Sequence, residues 1–270
     1  MPSATPDARE VARLVRLYSD AQERITAQLI RATTRGNDTT HLAAIRDNIA
    51  KLLSDLDAGS HQWTGEAIPP AYMSGADAAE KMLGGLGMKA DFAGIHTQAA
   101  QILAENTYSC FNAVTESIGR QADDYLRAIA LDAITSPLMG GRDTAKSDIF
   151  TRLAQSGEGM LRVRPDGSSY LGVQVTPGGK WWDMQTYAEM SARTTLAQTM
   201  REGTKIRLGE AGITMFIVVG GEGEGVCDEC QALMDGGPYT AEEADAIDWH
   251  PNCTHSLAAD PSELDALREA

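Results

Sequence analysis

Three of the four cysteines and two of the five histidines of this 270-residue chain fall near its C-terminal end. They occur as Cys227-Asp-Glu-Cys230 and His250-Pro-Asn-Cys253-Thr-His255. A Cys-x-x-Cys pair puts two thiolates on one tight turn, and a second Cys/His knuckle closes a tetrahedron around zinc, with Zn–S of about 2.3 Å and Zn–N of about 2.0–2.1 Å. Nineteen residues separate the two halves, enough for a loop that folds back on itself. Cys227, Cys230, His250 and Cys253 are the expected ligands, and His255 competes for the fourth place. Four good ligands point to a closed, structural zinc site, because catalysis needs a coordination position held by water. The same motif also marks thioredoxin-like redox pairs beside a βαβ unit, and no such unit is legible. A disulfide would need an oxidising compartment, which a chain without a recognisable leader is not expected to enter.

Composition narrows the classes. With 43% hydrophobic residues the chain can build one large or two modest cores. It has no run of about 20 apolar residues that would span a bilayer, so no membrane partner is expected and synthesis belongs to the cytoplasm. The net charge of −15 is uneven. Residues 201–270 hold 4 Lys/Arg against 15 Asp/Glu, a net −11, which leaves −4 for the first 200. Such an acidic end repels a phosphate backbone. Any DNA contact is therefore expected through the N-terminal part, although acidity also serves solubility alone.

The elements that must position the cluster read as two halves of an α+β protein, divided at residues 1–158 and 159–270. In the first, Val11, Leu14, Val15, Tyr18, Ile25 and Leu29 recur at helical spacing behind an Asp7 cap. Leu42, Ile45, Ile49, Leu52, Leu53 and Leu56 form a second stripe after the Arg35–Asp38 break, which predicts an antiparallel helical hairpin. Gly59–Pro70 reads as a turn-rich arm, followed by a short helix capped by Ser74 that ends before Gly84–Gly87. Leu103, Thr107, Cys110, Phe111, Val114, Ile118, Tyr125 and Ile129 trace one long helix ending near Pro137, with Cys110 as a small buried hydrophobe. Another helix carries Ile149, Phe150 and Leu153. His41, His61 and His96 have no companion carboxylates at ligand spacing and receive no chemistry.

In the second half, alternating residues around Pro165-Asp-Gly167 predict a hairpin of 160–164 with 169–175, closed by Pro177–Gly179. A helix follows from about Trp182 to Met200, with Tyr187, Met190, Thr194 and Leu196 inward. Ile213–Val219 has strand length. Gly220–Gly225 lacks the Gly-Lys-Ser/Thr ending of a phosphate loop and carries two glutamates, so it reads as a lead into the knuckle. Pro251 fixes the backbone so that His250 and Cys253 can face one metal. A final strand near Thr254–Ala258 and a short helix after Pro261 complete the domain.

Tyr187-Ala-Glu-Met-Ser-Ala-Arg-Thr194, the strand ending at Val219, Cys227-x-x-Cys230 and His250-Pro-Asn-Cys253 occur in an order that resembles the C-terminal half of minor capsid proteins of tailed bacteriophages, the Mu-type head morphogenesis family. The likeness covers roughly residues 181–259. Its specificity lies in the combination. Thr254-His255 stands where Arg-Cys is common, which leaves the fourth metal ligand open. The resemblance implies a virion component, in the capsid interior or neck, that associates with the portal protein and major capsid protein and assists head assembly, DNA packaging or ejection. On that reading the protein is not an enzyme, zinc is structural, and the helical half attaches to partners. Glu189 and Arg193 form an i, i+4 pair, and Arg193 is expected to bond the backbone of the zinc loop. Two alternatives stand beside it, a zinc-dependent interaction module and a zinc hydrolase, both unrelated to the virion. Neither His-Glu-x-x-His nor the deaminase His-x-Glu is present.

Overall fold

The computed structural model describes residues 4–34, 39–84, 95–135, 161–174, 180–220 and 226–269. The chain is α+β: a mainly helical N-terminal part, then two small antiparallel sheets with further helices. The helices are α1 (Ala8–Thr34), α2 (Thr39–Leu83), α3 (Ile95–Thr135) and α4 (Met184–Glu210), with the short α5 (Asp228–Gly236), α6 (Ala241–Asp245) and α7 (Pro261–Glu269). The strands are β1 (Leu161–Val163), β2 (Ser169–Gln174), β3 (Trp181–Asp183), β4 (Met215–Val219), β5 (Tyr239–Thr240) and β6 (Ser256–Ala259). No described helix is long and apolar enough to cross a membrane. The expected boundary near 158, the helix at Ile149–Leu153, the Arg35–Asp38 break and Pro177–Gly179 lie outside the described residues, as do all but the first residue of Gly84–Gly87 and of Gly220–Gly225.

By contacts the chain forms two compact units, each built from separate segments. One comprises Ala12–Gln62 and Tyr108–Glu189. Its core is the expected stripes of three helices: Leu14, Tyr18, Ile25 and Leu29 of α1, Ile45, Ile49 and Leu56 of α2, and Phe111, Ile118 and Ile129 of α3, all buried. The Tyr18 ring sits 6.1 Å from Phe111 and 6.0 Å from Tyr187, and burial, then the neighbouring Tyr187, raises its phenol well above the ordinary value. Gln22 accepts from the Met184 amide at 2.8 Å, which ties α1 to the start of α4. The predicted hairpin is present, with Leu161, Arg162 and Val163 opposite Leu171, Tyr170 and Ser169. Gly167 takes φ 84°, the left-handed conformation its turn requires.

The other unit comprises Met1–Val11, Trp63–Thr107 and Met190–Ala270. Here the expected turn-rich arm and the Ser74-capped helix are corrected: α2 runs unbroken through Pro69 and Pro70. Trp63, Ala67, Ile68, Tyr72, Ala76, Ala79 and Leu83 keep helical spacing through the stretch, each at most 2% exposed. Burying an aromatic or large aliphatic side chain contributes about 1.5–3 kcal/mol, so this stripe outweighs roughly 3 kcal/mol per interior proline. Cys110 is also corrected, since it is exposed at the edge of its stripe. His96 gains the partners its sequence neighbourhood lacks: it is buried between the Tyr72 hydroxyl and the Glu210 carboxylate, each at 2.8 Å. An ionised carboxylate can only accept, so Nε2 donates to Glu210. Burial and then Glu210 push the Tyr72 phenol up to about 12.

Candidate metal centre

The second sheet brings the two halves of the cluster together. Its order is β5-β4-β6, and Phe216, Ile217, Val218 and Val219 of β4 pair antiparallel with Ala259, Ala258, Leu257 and Ser256 of β6. β4 therefore ends, on the way to Cys227, beside the residue that follows His255. Phe216, Val218, Leu257 and Ala259 face a shared core with Leu208, Ile213 and Ala244, which fixes the register, because a one-residue slip would turn that face outward.

Each half has its own local reason for its shape. Cys227 is the N-cap of α5, and its sulfur accepts from the Cys230 amide at 3.4 Å. A helix start thus presents both thiols of the Cys-x-x-Cys turn. The helix itself was not anticipated, nor was α6, whose start is a capping box between Thr240 and Glu243. His250-Pro-Asn-Cys253 is a β-turn in which the Cys253 amide donates to the His250 carbonyl at 3.2 Å. Pro251 sets the first corner, and Asn252 takes φ 62° at the second, a conformation asparagine tolerates.

Five donors converge. Cys227, Cys230 and His250 form one group and Cys230, Cys253 and His255 a second, with the ligand atoms of each group within 4.8 Å of one another. Cys230 Sγ lies 3.7 Å from Cys253 Sγ and 3.0 Å from His250 Nε2, while Cys253 Sγ is 3.5 Å from His255 Nδ1. A tetrahedral ion with ordinary Zn–S and Zn–N bonds separates its ligands by about 3.8 Å for two sulfurs and about 3.6 Å for sulfur and nitrogen, so the donor set fits a metal. Cys230, Cys253 and His255 are 1%, 3% and 5% exposed. Cys227 is exposed and His250 half-buried. Without a cation, burial followed by hydrogen bonding with Cys227 and Cys253 pushes the Cys230 thiol up to about 12. Burial, then His250 and Arg201, holds His255 below its ordinary value, which favours the neutral ring that binds metals. His250 Nδ1 is 3.0 Å from the Pro251 carbonyl, an orientation that leaves Nε2 as the ligating atom.

Arg201, which sequence reasoning missed, secures the second knuckle. Its Nε donates to the His255 carbonyl at 2.8 Å and its Nη2 to the Cys253 carbonyl at 2.7 Å. The guanidinium lies 4.1 Å from the centre of the Trp249 ring and the residue is 3% exposed. Burial lowers its pKa, opposed by the Cys253 and Cys230 sulfurs. A signal was there to read: Ala197, Arg201, Thr204 and Leu208 follow one another at helical spacing, so an arginine stands on a buried stripe. Glu189 and Arg193 lie on the same helix, and Arg193 is exposed. One turn-end contact to the knuckle comes from Thr194, whose hydroxyl accepts from the Asn252 amide at 3.1 Å. The Thr254 carbonyl accepts from the Ala4 amide at 3.1 Å.

A cleft of about 260 Å³ is lined by Thr199, Arg201, Glu202, Asp245, Trp249 and Leu257, among others, and by none of the five donors. Scans against family models, curated proteins and solved structures each return no match for this chain, so the likeness to phage minor capsid proteins rests on the motifs of residues 181–259 alone.

Proposed function

We propose that the five-donor cluster binds zinc as a structural staple, and that the chain is a minor capsid or head morphogenesis protein of a tailed bacteriophage. The observation that carries the reading is the gathering of the motif residues: the Cys-x-x-Cys turn and the His-Pro-Asn-Cys turn meet in one cluster, locked from behind by an arginine of the helix that bears the third motif. Bound there, zinc supplies charge that favours the thiolates and cross-links α5 to the loop before β6. Cys230 and Cys253 would hold it at the centre, with Cys227, His250 and His255 as the remaining donors. The surplus of protein donors favours a structural ion over one that activates water, and no residue is assigned a catalytic role.

In this reading the protein sits in the capsid interior or neck, docks on the portal protein and the major capsid protein, and assists head assembly, DNA packaging or ejection. The acidic last 70 residues keep their surface away from packaged DNA, which leaves the N-terminal part to approach it. Co-expression of the full chain with the portal protein of its own genome tests this. A complex that survives size exclusion and contains zinc supports the reading. A zinc-loaded chain that never co-elutes with the portal favours an interaction module outside the virion.

A further inference from the structure

The cluster has one donor more than a tetrahedral ion uses, and its donors differ in access. Cys230, Cys253 and His255 are at most 5% exposed, whereas Cys227 is exposed and His250 half-buried. The two groups share Cys230 and otherwise have no member in common. The inner group sits on a backbone whose carbonyls at Cys253, Thr254 and His255 are all taken, by Arg201, Ala4 and Arg201 in turn. His255 stands out within it. Its ring hydrogen-bonds only to the Cys253 sulfur among the described residues, and its Nε2 is buried with no hydrogen-bond partner. Burying an imidazole with an unmet Nε2 costs stability, and what the ring gains in return is Nδ1 aimed at the Cys253 sulfur and the shared cluster.

We propose that the cluster gives a single metal ion two overlapping seats hinged on Cys230: an outer seat of Cys227, Cys230 and His250 that captures the ion from solvent, and an inner seat of Cys230, Cys253 and His255 where it settles. This deepens the metal reading above and rests on it. His250 is then the capture ligand: Nδ1 faces the Pro251 carbonyl and Nε2 points at the Cys230 sulfur, ready before the ion arrives. His255 is the retention ligand. The device makes loading fast and loss slow, because an ion leaving the inner seat must pass back through the outer one.

Cobalt(II) on the metal-free full chain tests it, since its visible bands report tetrahedral geometry and its near-ultraviolet band reports bound thiolates. Wild type is expected to take up one ion per chain. His250→Ala should bind one ion with the same final spectrum but load at least about tenfold more slowly. His255→Ala should load at the normal rate yet lose its ion to a chelator at least about tenfold faster, in the range typical of disturbed metal shells. Should His255→Ala fold poorly, His255→Cys keeps the test decisive: the thiolate-to-cobalt band must grow as one more sulfur binds. A band unchanged in His255→Cys, or chelator loss unchanged in His255→Ala while one ion still binds, overturns the two-seat arrangement and leaves the metal centre standing. No cobalt bound to wild type overturns both. Two ions per wild-type chain overturns the single shared ion.

Discussion

Arg201 carries the strongest single-residue prediction. It satisfies two buried carbonyls at once with a planar fork and stacks on Trp249, a geometry that lysine cannot reproduce. Arg201→Lys is expected to lower stability by about 2–4 kcal/mol, since each buried carbonyl left without a donor costs about 1–3 kcal/mol, and to weaken metal binding about 10- to 100-fold. Denaturant unfolding and a competitive chelator titration measure the two. Glu263 gives a prediction with a sign in pH. Burial alone would raise its carboxyl, but the Thr214 hydroxyl at 2.6 Å and the Met215 and Thr214 amides at 3.0 and 2.7 Å prevail and hold it below the ordinary value of 4.5. A carboxylate lowered in the folded state stabilises above its unfolded pKa, and that contribution disappears as pH falls through the folded value. Glu263→Gln should therefore melt earlier than wild type at pH 7, with the gap closing as the pH drops below about 4.5. A gap that fails to narrow as the pH falls below that value would contradict it. The gathering of Cys227, Cys230, His250, Cys253 and His255 into one candidate metal cluster was legible from residue type and spacing. Arg201 was not, because helical periodicity names a buried face without saying which backbone lies opposite, and that depends on a loop some fifty residues away.

Helix α4 packs against α2 through glycine. A Cβ on Gly203 would lie 2.1 Å from the Tyr72 carbonyl oxygen, and one on Gly75 would lie 1.9 Å from that of Met200. Between them the Thr204 hydroxyl donates to the Gly75 carbonyl at 3.0 Å. Gly203→Ala should therefore destabilise by about 3 kcal/mol or more, because backbone must move to admit the methyl. Gly65→Ala on the exposed face of α2 meets nothing within 4 Å, and should stabilise by about 0.5–1 kcal/mol. Paired melting curves of the two variants would decide whether α2 is continuous through Pro69 and Pro70, since a turn at Gly65 would reverse the sign of its effect. Elements whose signal is local were readable in advance: α1 with its Asp7 cap, the Pro165-Asp-Gly167 hairpin, β4, β6 and α7. The arm at Gly59–Pro70 was misread because glycine and proline are local signals, while the burial of Trp63, Ile68 and Tyr72 that overrides them is tertiary. β3 and α5 are too short for periodicity to register.

At the scale of the molecule, the α+β class follows from the change in pattern along the chain, but the two compact units do not follow the order of the sequence. Each draws on several segments, and α1, α2, α3 and α4 all supply residues to both. Periodicity cannot reveal such interleaving, since it describes an element without its partners. The five donors belong to the unit that gathers Met1–Val11, Trp63–Thr107 and Met190–Ala270, so removing an ion bound there should loosen the β5-β4-β6 sheet first. Native mass spectrometry of wild type and Cys230→Ser, with melting curves in the presence and absence of a chelator, tests the metal staple most directly. The expected result is one zinc ion per wild-type chain, none in Cys230→Ser, and a lower melting temperature for wild type once chelated. A metal-free wild type whose melting temperature ignores both chelator and added zinc would contradict it.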